Sequence, residues 1–434
     1  MAMKESGIEW VGLIPNTWSV IPNKYVMHKE KNLCEKWTGE DVMSLTMNGV
    51  IVRDLQNPTG KMPATFDGYQ YIEDGDLLMC LFDIDVTPRC VGKVTHDGVT
   101  SPAYSNFKIH DNASRDYFYY YYLMVDNTKE LLHLAKNLRH SFTEKQLGQL
   151  KVPMPPLSEQ KAIADYLDET CSKIDEIIAE AKASIDEYKE LKQSVIFEAV
   201  TKGFDKNVEM KAVNLEYLDS CPLDWNILPV SILFDFFGGF AYKSDRFCEE
   251  TNNQVVRLGN VKDDELRLNS NPVYVSDEYA DDSSKAAIKV DDILFTMTGT
   301  RGKGDYFYTL IITEDDLKEK NLFLNQRVGC FRKAYHTVYM PYYNYLLKSP
   351  KIRERVFLYE TGTANQGNIG IENINRIRLY NPPMEVQKNI VRMLNQKCNT
   401  IDSLITEKES LINDLETYKK SLIYEVVTGK RRVV

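Results

Sequence analysis

The chain repeats itself. Residues 155–203 align without a gap on residues 382–430 at a constant offset of 227, with 18 identities in 49 positions. The matches include Pro155/Pro382, Pro156/Pro383, Gln160/Gln387, Leu167/Leu394, Cys171/Cys398, Ile174/Ile401, Asp175/Asp402 and Thr201/Thr428. Shared helical composition alone does not place Cys and Asp at equivalent positions, so this is a repeated element. The rest of each half repeats more loosely in the same order. Ile14-Pro15-Asn16-Thr17-Trp18 answers Cys221-Pro222-Leu223-Asp224-Trp225, and Asp76-Leu77-Leu78 answers Asp292-Ile293-Leu294. The aromatic stretch Tyr119-Tyr120-Tyr121-Tyr122-Leu123 answers Tyr342-Tyr343-Asn344-Tyr345-Leu346. The layout this predicts is a variable domain over 1–153, a helix over 154–203, a second variable domain over 204–381 and a second helix over 382–434.

Both repeated segments predict long helices. Each opens on Pro-Pro, which suits a helix start, and Ser158 is the candidate N-cap of the first. Apolar residues follow at Leu167, Cys171, Ile174, Ile178, Ala181, Ile185 and Tyr188, with spacings alternating four and three. That alternation is the seam of a coiled coil. The second copy has Leu394, Cys398, Ile401, Ile405, Ile412 and Leu415 at the matching places, broken only by Lys408. Segment 155–203 carries a net charge of −5 and segment 382–434 a net of +2, which favours pairing of the two copies with each other. The fold class expected is α+β: two mixed α/β domains in a pseudo-twofold arrangement, joined by two long helices in an antiparallel coiled coil. Two unrelated amphipathic helices, each packed on its own domain, form the plainer alternative.

No apolar run approaches the roughly 20 residues that span a bilayer, and residues 1–6 lack the apolar core of a signal peptide. The eight cysteines form no C-x-x-C pair, so they read as reduced thiols in a cytoplasmic protein without membrane contact. Six histidines, none in metal-ligand spacing, point to no metal site. The net charge of −10 opposes broad affinity for nucleic acid, which Lys and Arg supply by neutralising phosphates. Any DNA binding must then be local or be completed by a more basic partner.

The string Pro155-Pro156-Leu157-Ser158-Glu159-Gln160-Lys161-Ala162-Ile163-Ala164-Asp165-Tyr166-Leu167 resembles the start of the central conserved region of Type I restriction–modification specificity subunits. So do Lys173-Ile174-Asp175-Glu176-Ile177-Ile178 and the exit Gln193–Thr201. The opening Ser6–Pro15 resembles that family's entry to a target-recognition domain, and Met297-Thr298-Gly299-Thr300-Arg301-Gly302-Lys303 its glycine-rich loop. The resemblance implies two target-recognition domains, each reading one half of a bipartite, asymmetric site in double-stranded DNA. It implies conserved helices that act as spacer and as docking surface for two methyltransferase (modification) subunits. Those subunits would hold S-adenosylmethionine, this chain would need no cofactor, and restriction subunits would complete the assembly. Gln160 and Gln387, equivalent positions near the helix starts, are the candidate docking residues.

Sequence is read by side chains at base edges, whereas phosphate contacts position the protein. In the first domain the candidates are Arg53, Arg89, Lys93, Arg139 and His140. In the second, Arg301 and Lys303 lie among glycines and threonines that permit close backbone approach. Gln326, Arg327, Gln366 and Asn368 have the chemistry to pair with guanine or adenine edges.

Three tempting motifs are declined. Asn381-Pro382-Pro383-Met384 resembles the Asn-Pro-Pro-aromatic motif of adenine methyltransferases, but Met384 supplies no stacking ring. Gly299–Gly304 lacks the order of a phosphate-binding loop. The tyrosine cluster at 117–122 recurs at 342–345 beside aliphatic residues, which favours a packed helix over a base-stacking platform. The chain therefore reads as non-catalytic. A coiled-coil adaptor without DNA readout is the competing function, and a methyltransferase acting alone is the third.

Overall fold

The computed structural model describes residues 2–58, 62–87, 89–135, 141–215, 217–218, 220–262, 265–363 and 365–433, the side chain of residue 371 excepted. The chain divides into two compact units. One comprises Met1–Ala183 with Lys408–Val434, and the other is Ser184–Glu407. The first long helix, Leu157–Lys202, and the second, Met384–Val427, each contribute one part to either unit. The Pro156 carbonyl accepts from the backbone N–H groups of Glu159 and Gln160 at 2.9 and 3.0 Å. Ser158 thus sits inside the first helical turn, and the expected N-cap is not the cap.

In the first unit, strands β1 (Met27–Glu30), β2 (Val42–Thr46), β3 (Gly49–Val52), β4 (Gln70–Ile72), β5 (Leu77–Met79), β6 (Val91–Lys93), β7 (Gly98–Thr100) and β8 (Ser105–Ile109) precede helix α1 (Arg115–Asn127). They build two four-stranded sheets. One has the antiparallel order β1-β8-β5-β6, and the other is β3-β2-β7-β4 with β2 and β7 parallel. Ser114 caps α1 by accepting from the Tyr117 N–H. Leu77, Met79 and Phe107 from the sheet, Phe118 and Tyr121 from α1, and Trp18 form one core with Leu167, Ile174, Leu422 and Val426 of the long helices. Lys419 donates to both carboxylate oxygens of Asp175, while Arg431 interacts electrostatically with Tyr166. Advancing along the first helix therefore means retreating along the second, so the two run antiparallel in this unit.

The second unit repeats that scaffold. Its strands are β9 (Phe234–Gly238), β10 (Asn253–Val256), β11 (Ile293–Thr296), β12 (Thr298–Gly299), β13 (Thr309–Ile311), β14 (Asn321–Leu324) and β15 (Val328–Lys333). Helix α2 (Met340–Leu347) and strands β16 (Glu360–Thr363) and β17 (Gln366–Ile369) follow. The antiparallel sheet β9-β15-β11-β13 has the order seen in the first unit, and β10 and β14 reproduce the parallel pair. Trp225, Phe295, Phe331, Tyr342 and Tyr343 share a core with Ala199, Val200 and Leu394 of the long helices. Lys192 donates to both oxygens of Asp402 at 2.7 Å, and the Lys397 ammonium lies 5.4 Å from the Phe204 ring. The helices are antiparallel here too.

The seam follows the heptad spacing. Leu167, Cys171, Ile174, Ile178, Ala181 and Ile185 are buried, as are Leu394, Cys398 and Ile401. Ile405, Ile412 and Leu415 are half-buried. Gly203 and Gly429, with φ of 75° and 71°, turn the chain just beyond the helices in the left-handed conformation that favours glycine. At Gly429 a Cβ would also meet the Pro15 ring at 2.5 Å. The tyrosine clusters pack as the sequence indicates: Tyr117, Tyr120, Tyr121 and Tyr122 of α1, and Tyr342 and Tyr343 of α2, are buried. All eight cysteines are free thiols, seven of them buried. Among the described residues no helix is long and apolar enough to cross a membrane.

Candidate nucleic-acid interface

Four of the six candidates in the second unit converge on one hollow. Gln326, Arg327, Gln366 and Asn368 line an open groove of about 410 Å³ together with Thr298, Gly362 and Thr363. Backbone pairing fixes their positions. Strand β12 pairs with β17 so that Thr298 faces Asn368 and Gly299 faces Gly367, and β17 pairs with β16 so that Gln366 faces Thr363. The Arg327 carbonyl accepts from the Met297 N–H at 3.0 Å, and the Gln326 N–H donates to the Phe240 carbonyl at 3.0 Å. Gln326 and Arg327 also border a second hollow with Arg257, Asn260, Asn271 and Asn325, which extends the polar surface.

The glycine-rich loop braces this surface. Gly302 and Gly304 adopt φ of 74° and 60°, a left-handed conformation that favours glycine. The Gly302 N–H donates to Glu360 at 3.0 Å, and the Tyr306 hydroxyl donates to the same carboxylate at 2.8 Å. Burial and the Glu360 charge push the Tyr306 phenol above its usual range, so it remains a donor. The Thr300 hydroxyl and backbone N–H hold the Asp305 carboxyl below its usual range. Arg301 reaches over to the Gly362 carbonyl of the hairpin at 3.1 Å. Lys303 lines a separate hollow with Arg353, Phe357 and Glu360. The structure thus brings Arg301 beside the four groove residues and separates Lys303 from them.

The first unit is different. Arg89 donates to the Met47 and Val91 carbonyls and, at 2.6 Å, to the Tyr119 hydroxyl. Lys93 donates to Asp116 at 2.7 Å. Burial raises the pKa of the Asp116 carboxyl, but Lys93 and Arg115 outweigh it and hold the group below its usual range. Both cations therefore brace the fold, each held by partners within its own unit. Arg53 is half-buried and bears electrostatically on Tyr104. Arg139 and His140 lie outside the described residues.

The docking candidates are held in a similar way. Gln160 and Gln387 have no exposed surface. The Gln160 carbonyl accepts from the Ser114 N–H at 2.7 Å and its amide donates to the Pro155 carbonyl. Gln387 likewise accepts from the Tyr339 N–H and donates to the Pro382 and Thr337 carbonyls. Each glutamine ties the start of a long helix to the start of α1 or α2, so its side chain has nothing left to offer a partner.

The family model described as "Type I restriction modification DNA specificity domain" matches residues 87–187 and 222–414. The chain belongs to this family. Within it, the chain is 24% identical over 295 residues to the Type I restriction enzyme MjaVIII specificity subunit of Methanocaldococcus jannaschii. It is 22% identical over 303 residues to the EcoBI specificity subunit of Escherichia coli. Each match takes in 68% of this chain, but only 65% and 61% of those relatives. The fold is similar to that of the HsdS subunit from Thermoanaerobacter tengcongensis, with a TM-score of 0.55 and 13% identity over 96% of this chain and 98% of that one. A chain from a structural study of complex assembly in the type I R-M system matches with a TM-score of 0.71 and 13% identity, covering 96% and 99%.

For a member of the specificity family, the residues that sequence reasoning missed are Thr298, Thr363, Arg257 and Asn271. The polar alternation in Glu360-Thr-Gly-Thr and Gln366-Gly-Asn-Ile carries the signal for Thr363, since every second residue of a strand shares a face. Nothing local marks Arg257 or Asn271, which reach the surface through tertiary pairing.

Proposed function

We propose that the chain is the non-catalytic reader of a Type I restriction–modification complex, recognising a bipartite, asymmetric DNA site with one half-site per domain. The observation that carries this reading is the contrast between scaffold and surface. Strand order, the parallel pair and the buried glutamine recur in both units, while the groups offered at corresponding loops differ. The connection between β11 and β13 carries Arg301 and Lys303, whereas the equivalent one between β5 and β6 carries exposed Phe82 and Val86, Asp83 and Asp85, and an Arg89 bonded within its own unit. A reader of two unlike half-sites needs one frame and two unlike faces.

In this reading two methyltransferase subunits, each holding S-adenosylmethionine, dock on the long helices, and restriction subunits join them. The docking surface lies on apolar side chains outside the seam: Ile177 and Tyr418 in the first unit, and Leu191 in the second, are each nearly half exposed. A net charge of −10 leaves the isolated chain a weak DNA binder, so partner subunits supply the phosphate contacts. The test is exchange of residues 1–153 for the corresponding domain of a relative. Sequencing of methylated sites should show one half-site changed and the other kept. A simultaneous change in both halves would rule out two separate readers.

A further inference from the structure

We propose that the hairpin β16–β17 enters the DNA major groove and that Gln366 and Asn368 read adenine edges there. This rests on the DNA-reading function proposed above. Thr363 pairs with Gln366, so the register of the hairpin is fixed. Alternation along β17 sends Gln366 and Asn368 to the exposed face while Gly367 and Ile369 are buried beneath. Glycine is needed at two places in the hairpin. A Cβ on Gly367 would meet Glu360 Oε1 at 2.2 Å and the Tyr306 hydroxyl at 2.8 Å, and one on Gly362 would meet the Gln366 carbonyl at 2.0 Å. The exposed face is therefore a paired ribbon carrying two carboxamides for which the structure gives no side-chain hydrogen bond to the described residues.

A second feature marks this face as incomplete. Thr298, opposite Asn368 on β12, is 8% exposed, lines the groove, and its hydroxyl has no hydrogen-bond partner among the described residues. A buried hydroxyl without a partner is costly unless a ligand or water supplies one. The charge around the groove selects the ligand. Arg327 lines it, Arg301 lies beside it and Arg257 borders the adjoining hollow, whereas the neighbouring acids Glu360 and Asp305 accept internal hydrogen bonds. Flanking cations around a neutral amide face suit a polyanion whose information lies in neutral edges. The major groove admits a β-ribbon, and Asn or Gln pairs in bidentate fashion with adenine N6 and N7.

The experiment uses the complex assembled with its methyltransferase subunits, after its site has been found by sequencing methylated DNA. In synthetic duplexes of that site, each adenine of the half-site assigned to the second domain is replaced in turn by 7-deazaadenine. This base keeps Watson–Crick pairing and lacks the N7 acceptor. At one or two positions binding should weaken roughly tenfold or more. Gln366→Ala or Asn368→Ala should remove that sensitivity and relax base preference at the same position, with the other half-site unchanged. Both side chains are exposed, so the variants should fold, and unchanged recognition of the first half-site verifies this. Gln366→Glu, which only accepts hydrogen bonds, should move preference toward cytosine. Site-specific binding that ignores every 7-deazaadenine, or variants with full discrimination, would overturn the hairpin assignment and leave the DNA-reading function standing. A complex with no site-specific binding at all would overturn both.

Discussion

The hydroxyl of Tyr117 donates to the main-chain carbonyl of Val427 at 2.9 Å, 310 residues further along the chain and out of contact with solvent. Tyr342 does the same to Val200 at 2.7 Å. The last carbonyls of a helix have no partner within it, and here a tyrosine from the recognition domain satisfies one of them. Burial raises both phenols well above their usual range, so they remain donors at any working pH. Tyr117→Phe or Tyr342→Phe leaves a buried carbonyl unsatisfied, and each should lower stability by about 1–3 kcal/mol. Denaturant titration of the two variants checks this.

Corresponding aspartates in the two units are balanced differently. Asp292, 1% exposed, takes two hydrogen bonds from the Arg332 guanidinium at 2.6 and 2.8 Å. Asp76, 4% exposed, has the Asn106 amide at 2.7 Å and the Glu73 N–H instead. Arg332→Met strands a buried carboxylate and should remove about 3–5 kcal/mol of stability. Asp76→Asn should change stability by about 1 kcal/mol or less at neutral pH.

The pH dependence of Asp76→Asn has a definite sign. Burial holds the Asp76 carboxyl above its usual range, against the opposing pull of Asn106, Glu73 N–H and Lys108. A raised carboxyl favours the folded state most when protonated, below its unfolded pKa, and loses that contribution as pH rises through the folded value. Wild type should therefore gain on Asp76→Asn as the solution is acidified. Thermal melts of both proteins from neutral pH to about pH 4 measure the difference.

The seam and the ion pairs beside it should respond very differently. Ile174 and Ile401 are 5% and 7% exposed, and an aspartate at either place buries an unpaired charge. Ile174→Asp with Ile401→Asp should abolish assembly with partner subunits on gel filtration. Asp175 and Asp402 are at least half exposed, and exposed pairs are worth about 1 kcal/mol or less and weaken with salt. Asp175→Ala with Asp402→Ala should leave assembly intact.

How much of this was legible depended on the range of the interaction. The seam could be read because spacings of four and three are local, and Leu167, Cys171, Ile174 and Ile178 are buried as that spacing requires. Gln160 and Gln387 were misread because identity at a repeated place serves an internal tie as well as a docking site. The internal partners of Arg89 and Lys93 were hidden for a related reason: Tyr119 and Asp116 lie 30 and 23 residues away. Gln326, Arg327, Gln366 and Asn368 were chosen by chemistry alone. Their convergence on one groove depends on β12 pairing with β17, which no local pattern announces.

The long helices also make a prediction about distance. Each runs from one compact unit into the other, so in the proposed reader helix length sets the gap between half-sites. Inserting seven residues after Glu180 and seven after Glu407 keeps the heptad phase and lengthens the strut by about 10 Å. Since DNA rises about 3.4 Å per base pair, the spacer between half-sites should grow by at most about three base pairs. Rotation of one domain around the duplex would reduce that figure, while the half-site sequences should stay as they are. Sequencing the sites methylated by such a variant measures all of this at once. An unaltered spacer, in a complex that still methylates, would mean that groove contacts rather than the helices fix the separation.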